Sequence, residues 1–449
     1  MTSTPEGLGS APVGLAEVPA GGGLRTGALH ASVSDPALTS MTLLNEIAGR
    51  FPDAVSFAAG RPYEGFYEVA RLGRYLSAFE RHLEEDLGLR PDAVRRTFFQ
   101  YGRTKGFIHQ LIARHLEIDE RLTVEPESVV VTTGVQEAMV LVLRALRTDT
   151  RDVIFAAYPA YVGFLGATRL VDMPVRSVRE GPDGIDVADL EERIRQARKE
   201  GLRPRACYVV PDFANPSGAT MPQEARRRLL DLAERENILL LEDNPYSMFH
   251  SGGEERPPTL KSLDTGQRVV YFGSFAKTAF AGARVGYVVA DQPVVDGGLF
   301  ADELAKLKSM LTLNTSTVAQ AVIGGFLLEN GCSVEKATHR EADVYRRNLR
   351  AVLTALEERF GPGTPAGGAG VSWNTPKGGM FAVVTLPFRA DDAMLEYSAR
   401  RFGVLWTPMH HFYAGTGGFH QIRLSFSVLT PSQIQVGIER LAALVADRT

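Results

Sequence analysis

From residue 124 onward, short β-branched and aliphatic runs alternate with segments whose apolar positions recur at helical spacing. The alternation predicts strands over 128–133, 152–157, 205–211 and 238–241, and helices over 135–146, 161–170, 186–200 and 223–237. Strand and helix repeated in this way form βαβ units, so the predicted fold is α/β, a mostly parallel central sheet with helices on both faces. Two further apolar runs, 269–274 and 284–290, are separated by only about ten residues, too few for a helical crossover between parallel neighbours. An antiparallel strand is expected there.

Upstream, 42–48 predicts a short amphipathic helix leading into an apolar run that ends in the turn Ser56-Phe57-Ala58-Ala59-Gly60-Arg61-Pro62. Downstream, helical patterns fill 294–360. Short strands follow near Val371 and Met380, then a helix over 391–401 and strands near Val404 and Ile422, a smaller α+β domain. The expected division is a flexible tail over 1–28, an N-terminal arm with part of the small domain over 29–95, a large domain over 96–315 and a C-terminal small domain over 316–449.

The chain has 449 residues, enough to bury a sizeable pocket. Its 49 basic and 53 acidic residues give a net charge of −4, with no positive excess for nucleic acid or an anionic membrane. A small-molecule substrate fits better. No apolar run approaches the roughly 18 residues that a membrane helix needs. Residues 1–28 lack the apolar core of a secretion signal. Cys207 and Cys332 are too far apart in sequence for a local metal motif and read as buried thiols in a reducing cytoplasm; no metal site is expected.

Ligands of an open parallel sheet bind beyond the carboxyl ends of its strands. There Gly134 precedes the helix opened by Val135 and Gln136, whose unpaired N–H groups suit an anion; by itself such a glycine more often serves only the turn. Asp243 ends an apolar strand, either as a turn residue or as the partner of a cation such as a protonated pyridine nitrogen. Lys277 lies in the short link between two apolar strands. Burial there lowers a lysine's pKa and supplies the neutral amine that attacks an aldehyde. Ser274 and Arg284 flank it within reach of one anion.

Asn215-Pro216-Ser217-Gly218, Asp243 with Tyr246, Ser274-x-x-Lys277, Arg284 and Arg423 match in order and spacing. On these residues the chain resembles the fold-type-I pyridoxal 5′-phosphate (PLP) enzymes, and within them the class I aminotransferases, from about residue 43 to the end. The resemblance implies that Lys277 holds PLP as a Schiff base and moves the substrate α-proton. It implies that Asp243 pairs with the pyridine nitrogen, that Asn215 and Tyr246 bind the ring hydroxyl, and that Tyr161 rather than Tyr158 stacks on the ring. Val135, Gln136, Ser274 and Arg284 would hold the phosphate, with Tyr101 arriving from the second subunit of a homodimer. Arg423, with Asn215 and Gly60, would bind the substrate.

Two positions depart from the family pattern. Ala276 stands where many relatives have a hydroxyl, and the loop beside Arg423 reads Trp406-Thr407-Pro408-Met409-His410-His411-Phe412-Tyr413. With the 56–63 run and Phe98-Phe99-Gln100-Tyr101, this loop is similar to that of arylglycine transaminases of antibiotic pathways. That similarity implies ping-pong aldimine/ketimine transamination between an arylglycine, such as 3,5-dihydroxyphenylglycine or 4-hydroxyphenylglycine, and a 2-oxo acid. The alternatives are transamination of aromatic amino acids or 2-aminoadipate, a PLP lyase, racemase or oxidase, and a ligand-sensing regulator.

Overall fold

The computed structural model describes residues 24–35, 38, 46–181, 183–250, 252, 256–364 and 370–449. Most of the expected tail, and 42–45 of the first expected helix, lie outside them; 46–50 are helical. The strands, in chain order, are β1 (Val55–Ser56), β2 (Val129–Thr132), β3 (Asp152–Tyr158), β4 (Val175–Gly181), β5 (Gly184–Ile185), β6 (Arg203–Val209), β7 (Leu239–Asp243), β8 (Val269–Ser274) and β9 (Gly286–Val289). They continue with β10 (Ser372–Trp373), β11 (Phe381–Thr385), β12 (Val404–Leu405), β13 (Thr407–Pro408) and β14 (Gln421–Ser425).

Eight strands form one sheet in the order β2-β9-β8-β7-β6-β3-β4-β5. The pairs from β8 through β7, β6 and β3 to β4 are parallel. β9 runs antiparallel to both β8 and β2, as the short link before it requires. β4 and β5 have no counterpart in the sequence reading. β4 is largely exposed and carries Arg176, Arg179 and Glu180, so it lacks the apolar run of a buried strand.

Side chains alternate faces along each strand. Ala206, Tyr208, Leu241, Val270 and Phe272 enter one core, under the helices Gly134–Leu146, Val162–Leu170 and Phe300–Leu311. Cys207, Val209, Leu240 and Val269 enter another, beneath Val187–Lys199 and Gln223–Arg235. Both cysteines are free and buried. The four-stranded sheet β10-β11-β14-β13 packs with the helices Asp392–Phe402 and Pro431–Arg448 around Trp406. β1 pairs in parallel with β12, which carries Phe57 and Ala58 into this smaller core.

The loop from β6 to its following helix is tied down by Arg226, a fully buried cation. Its guanidinium donates to Asp212 Oδ1 at 2.5 Å and to the carbonyls of Pro211, Met221 and Pro258. Removing the cation leaves a buried carboxylate uncompensated. Arg226→Met is therefore expected to cost about 3–5 kcal/mol, read from the denaturant midpoint; a loss below about 0.5 kcal/mol, the scale of a surface change, would contradict this.

Candidate active site

The ends of β7, β6 and β8, with the loop after β3, meet β14 of the smaller sheet. Asp243 is the last residue of β7 and is buried. Its Oδ2 accepts a 2.6 Å hydrogen bond from Tyr208, which lies on the same face of β6. Phe164 stacks on the Tyr208 ring at 3.8 Å and so fixes where its hydroxyl points. Burial raises the Asp243 pKa to about 6, against the Tyr208 hydrogen bond. A carboxylate in that position is short of a cation.

Lys277 Nζ donates to the Gly60 carbonyl at 2.7 Å. Burial lowers its pKa to about 8, helped by the positive charges of Arg423 and Arg284. Arg423 leaves β14 beneath Phe381 and Phe412, whose ring centroids lie 4.5 and 5.2 Å from its Cζ. It donates to Asn215 Oδ1 and the Ala58 carbonyl, each at 2.7 Å, and to Thr407 Oγ1 at 3.1 Å. Its Nε is buried without a hydrogen-bond partner. Burial lowers even this guanidinium to about 10.

Tyr161 stands just before the helix Val162–Leu170; burial raises its pKa to about 12, and it feels Asp243, Arg284 and Arg423. Burial also raises Tyr246, which senses Tyr161, Asp243 and Arg423 and is hydrogen-bonded by Asn215. The structure therefore gathers Asn215, Tyr161, Asp243, Tyr246, Lys277 and Arg423, with Gly60 facing the lysine. Tyr158 lies outside that group, its ring 6.4 Å from that of Tyr413. Tyr101 is 82 % exposed and meets none of these residues in a single chain.

Gly134 opens its helix in the left-handed region, at φ +73°, and the N-cap residue Thr133 makes no side-chain hydrogen bond to the first turn. A Cβ there would fall 2.5 Å from Arg284 Nη2, so only glycine leaves the space between the free N–H groups and the guanidinium open. Arg284 was expected to start β9. It instead ends a 3-10 turn with φ +50°, and β9 begins at Gly286, where a Cβ would meet Val135 N at 2.8 Å. Val135 is half-buried, Gln136 is exposed, and Ser274 Oγ accepts the Ala276 N–H at 3.2 Å. The helix start with the Arg284 cation, the buried amine, and the buried carboxylate with no cation among the described residues suit a phosphate, an aldehyde and a protonated ring nitrogen respectively, so PLP fits these residues.

Sequence reasoning missed Tyr208, Thr407 and a buried pair under the anion cradle. Glu137 Oε2 accepts the Thr133 N–H at 2.5 Å, and Lys308 Nζ lies 2.9 and 3.0 Å from the two Glu137 oxygens. Thr312 Oγ1 donates to Oε1 at 2.5 Å. Glu137 thus braces the first turn, and Lys308 cancels a negative charge that would otherwise repel a bound anion. Apolar positions around 308 hid this lysine in a helical pattern. Separately, a groove of about 1790 Å³ lined by Tyr158, Glu180, Ser217, Asn374, Tyr413 and Gln421 runs beside the centre and includes neither Lys277 nor Asp243.

Residues 81–441 match the model of the family "Aminotransferase class I and II". The chain is 55% identical, over 94% of each sequence, to the (S)-3,5-dihydroxyphenylglycine transaminase of Amycolatopsis orientalis. Among solved structures it resembles a Pyrococcus horikoshii kynurenine aminotransferase in complex with PMP, with TM-score 0.77 and 28% identity over 90% of this chain and 94% of that one. It is similar also to a Thermus thermophilus α-aminoadipate aminotransferase complexed with N-(5′-phosphopyridoxyl)-L-leucine, with TM-score 0.77 and 28% identity over 94% and 98%.

Two outcomes follow from this geometry. Lys308→Met is expected to weaken PLP binding to the cofactor-free chain by on the order of tenfold, the factor carried by about 1.4 kcal/mol, measured by equilibrium dialysis; an unchanged Kd would remove the bracing role. Because the Lys277 pKa is lowered, the neutral amine accumulates at lower pH than for an ordinary lysine. The rate of PLP capture should climb through about pH 8 and then level, whereas a midpoint near the ordinary 10.5 would contradict the burial argument.

Proposed function

Because the chain belongs to the class I and II aminotransferases and works with pyridoxal 5′-phosphate, we propose that it transaminates an arylglycine of the 3,5-dihydroxyphenylglycine or 4-hydroxyphenylglycine type against a 2-oxo acid. The observation that carries the substrate class is the 55% identity across nearly the whole length of the Amycolatopsis orientalis transaminase. The aromatic wall around Arg423, made by Phe381 and Phe412, agrees with an aryl substrate. Glutamate is the proposed amino donor. We place the enzyme in the cytoplasm, in antibiotic biosynthesis; among the described residues no helix is long and apolar enough to cross a membrane.

Each group then has a task. Arg423 clamps the substrate α-carboxylate, for which its unpartnered Nε is an available donor, while Asn215, Thr407 and the Ala58 carbonyl hold the guanidinium in place. Lys277 takes the proton from the substrate α-carbon and returns it elsewhere, a task suited to an amine with a pKa of about 8. Bound PLP supplies the electron sink that makes that α-proton acidic. Asp243 holds the ring nitrogen in its protonated form, and Tyr208 keeps the carboxylate aimed. Tyr246 and Asn215 bind the ring hydroxyl, and Tyr161 covers the ring face. Val135, Gln136, Ser274 and Arg284 take the phosphate. Tyr101, exposed in one chain, is proposed to complete that cradle from the second subunit of a homodimer.

The test is a half-reaction. Purified holoenzyme mixed with 3,5-dihydroxyphenylglycine or 4-hydroxyphenylglycine alone should lose its near-visible band and accumulate the pyridoxamine form of the cofactor. Glutamate should do the same. Conversion by tyrosine or 2-aminoadipate but by neither arylglycine would contradict the proposed substrate.

A further inference from the structure

On the turn Met409–Phe412, which carries Phe412 to Arg423, two imidazoles and a carboxylate converge. His410 and His411 are neighbours on that turn, and Asp392 opens the helix Asp392–Phe402. His411 Nε2 lies 2.6 Å from Asp392 Oδ1, and His410 Nε2 lies 3.8 Å from Asp392 Oδ2. One ligand atom from each of the three lies within 4.8 Å of the other two. We propose that Asp392, His410 and His411 bind a divalent transition-metal ion of the zinc type, which clamps the turn under Arg423 to the start of that helix.

Two nitrogens and one carboxylate oxygen are a donor set for Zn²⁺, Co²⁺ or Ni²⁺, with the remaining position left to water. A plain ion pair explains the cluster less well. One imidazole is enough to pair with the carboxylate, yet a second ring stands with its centroid 4.1 Å from the first. The two rings thus stand side by side against one carboxylate, an arrangement that a shared cation explains.

The surroundings also orient the ligands. His410 stacks on Phe419 at 5.0 Å with an interplanar angle of 11°. Arg389 lies 3.8 Å from the same Phe419 ring and donates to Asp391 Oδ2 at 2.8 Å. His410 Nδ1 is buried without a hydrogen-bond partner among the described residues. The same turn is tied to the large domain by the Ala160 N–H, which donates to the Phe412 carbonyl at 2.8 Å. An ion at this position therefore stiffens the segment that walls the carboxylate-binding arginine.

Tag-free holoenzyme, stripped with a chelator and dialysed, tests the proposal by titration with Co²⁺ followed by absorbance and with Zn²⁺ followed by calorimetry. One equivalent per chain is expected, with visible Co²⁺ bands that Zn²⁺ bleaches. His411→Ala and the isosteric Asp392→Asn should each weaken that binding at least tenfold with unchanged circular dichroism, and His339→Ala, on a different helix, should not. Absence of saturable binding, or binding that persists unchanged in both site variants, would overturn the proposal. If His411→Ala unfolds the chain, Asp392→Asn alone decides between these outcomes.

Discussion

A carboxylate at the buried end of β7, met among the described residues by one phenol and by no cation, is the interaction on which the site turns. Burying a charge in this way is costly unless an opposite charge arrives. The chain leaves that position open at the point where the large sheet, the Asn215 loop and β14 come together. The core beneath the helices Gly134–Leu146 and Val162–Leu170, packed through Phe164 and Tyr208, keeps the carboxylate from turning aside. Fold and chemistry are joined here, because the packing that stabilises the sheet also aims Asp243.

The remaining charges are arranged around that one. Lys277, Arg284 and Arg423 lie close enough for the two arginines to depress the lysine, which leaves an excess of positive charge in a site with a single anion. A phosphate and a substrate carboxylate would relieve that excess at opposite ends. Arg423 is nearly fully buried yet keeps one donor unpartnered, and the helix start at Gly134 keeps several. The Glu137–Lys308 pair shows the same economy at one remove. It satisfies a backbone N–H at the cradle while its own charges cancel.

Much of this was legible in the chain before its structure, for physical reasons that differ from residue to residue. The βαβ spacing and the antiparallel β9 follow from run length and link length. Asp243 and Lys277 were visible because a charge interrupts an apolar run. Tyr208 was not, since an aromatic residue inside a strand reads as core. Lys308 and Glu137 are far apart in sequence and meet only when the helix Phe300–Leu311 packs on Gly134–Leu146. The carbonyls of Ala58 and Gly60 have no sequence signature at all, although they are what Arg423 and Lys277 grip. Arg284 was placed on a strand because it directly precedes an apolar run, whereas the structure puts it in a left-handed turn, which is rare for a non-glycine residue.

The central claim is that the amine at Lys277 is the one that bonds the cofactor aldehyde. Borohydride reduction of the holoenzyme, followed by digestion and mass spectrometry, measures this directly. The account requires one phosphopyridoxyl group per chain, on the peptide that contains Lys277, and its loss in Lys277→Ala. A label on a different lysine, or none on a protein saturated with PLP, would contradict it.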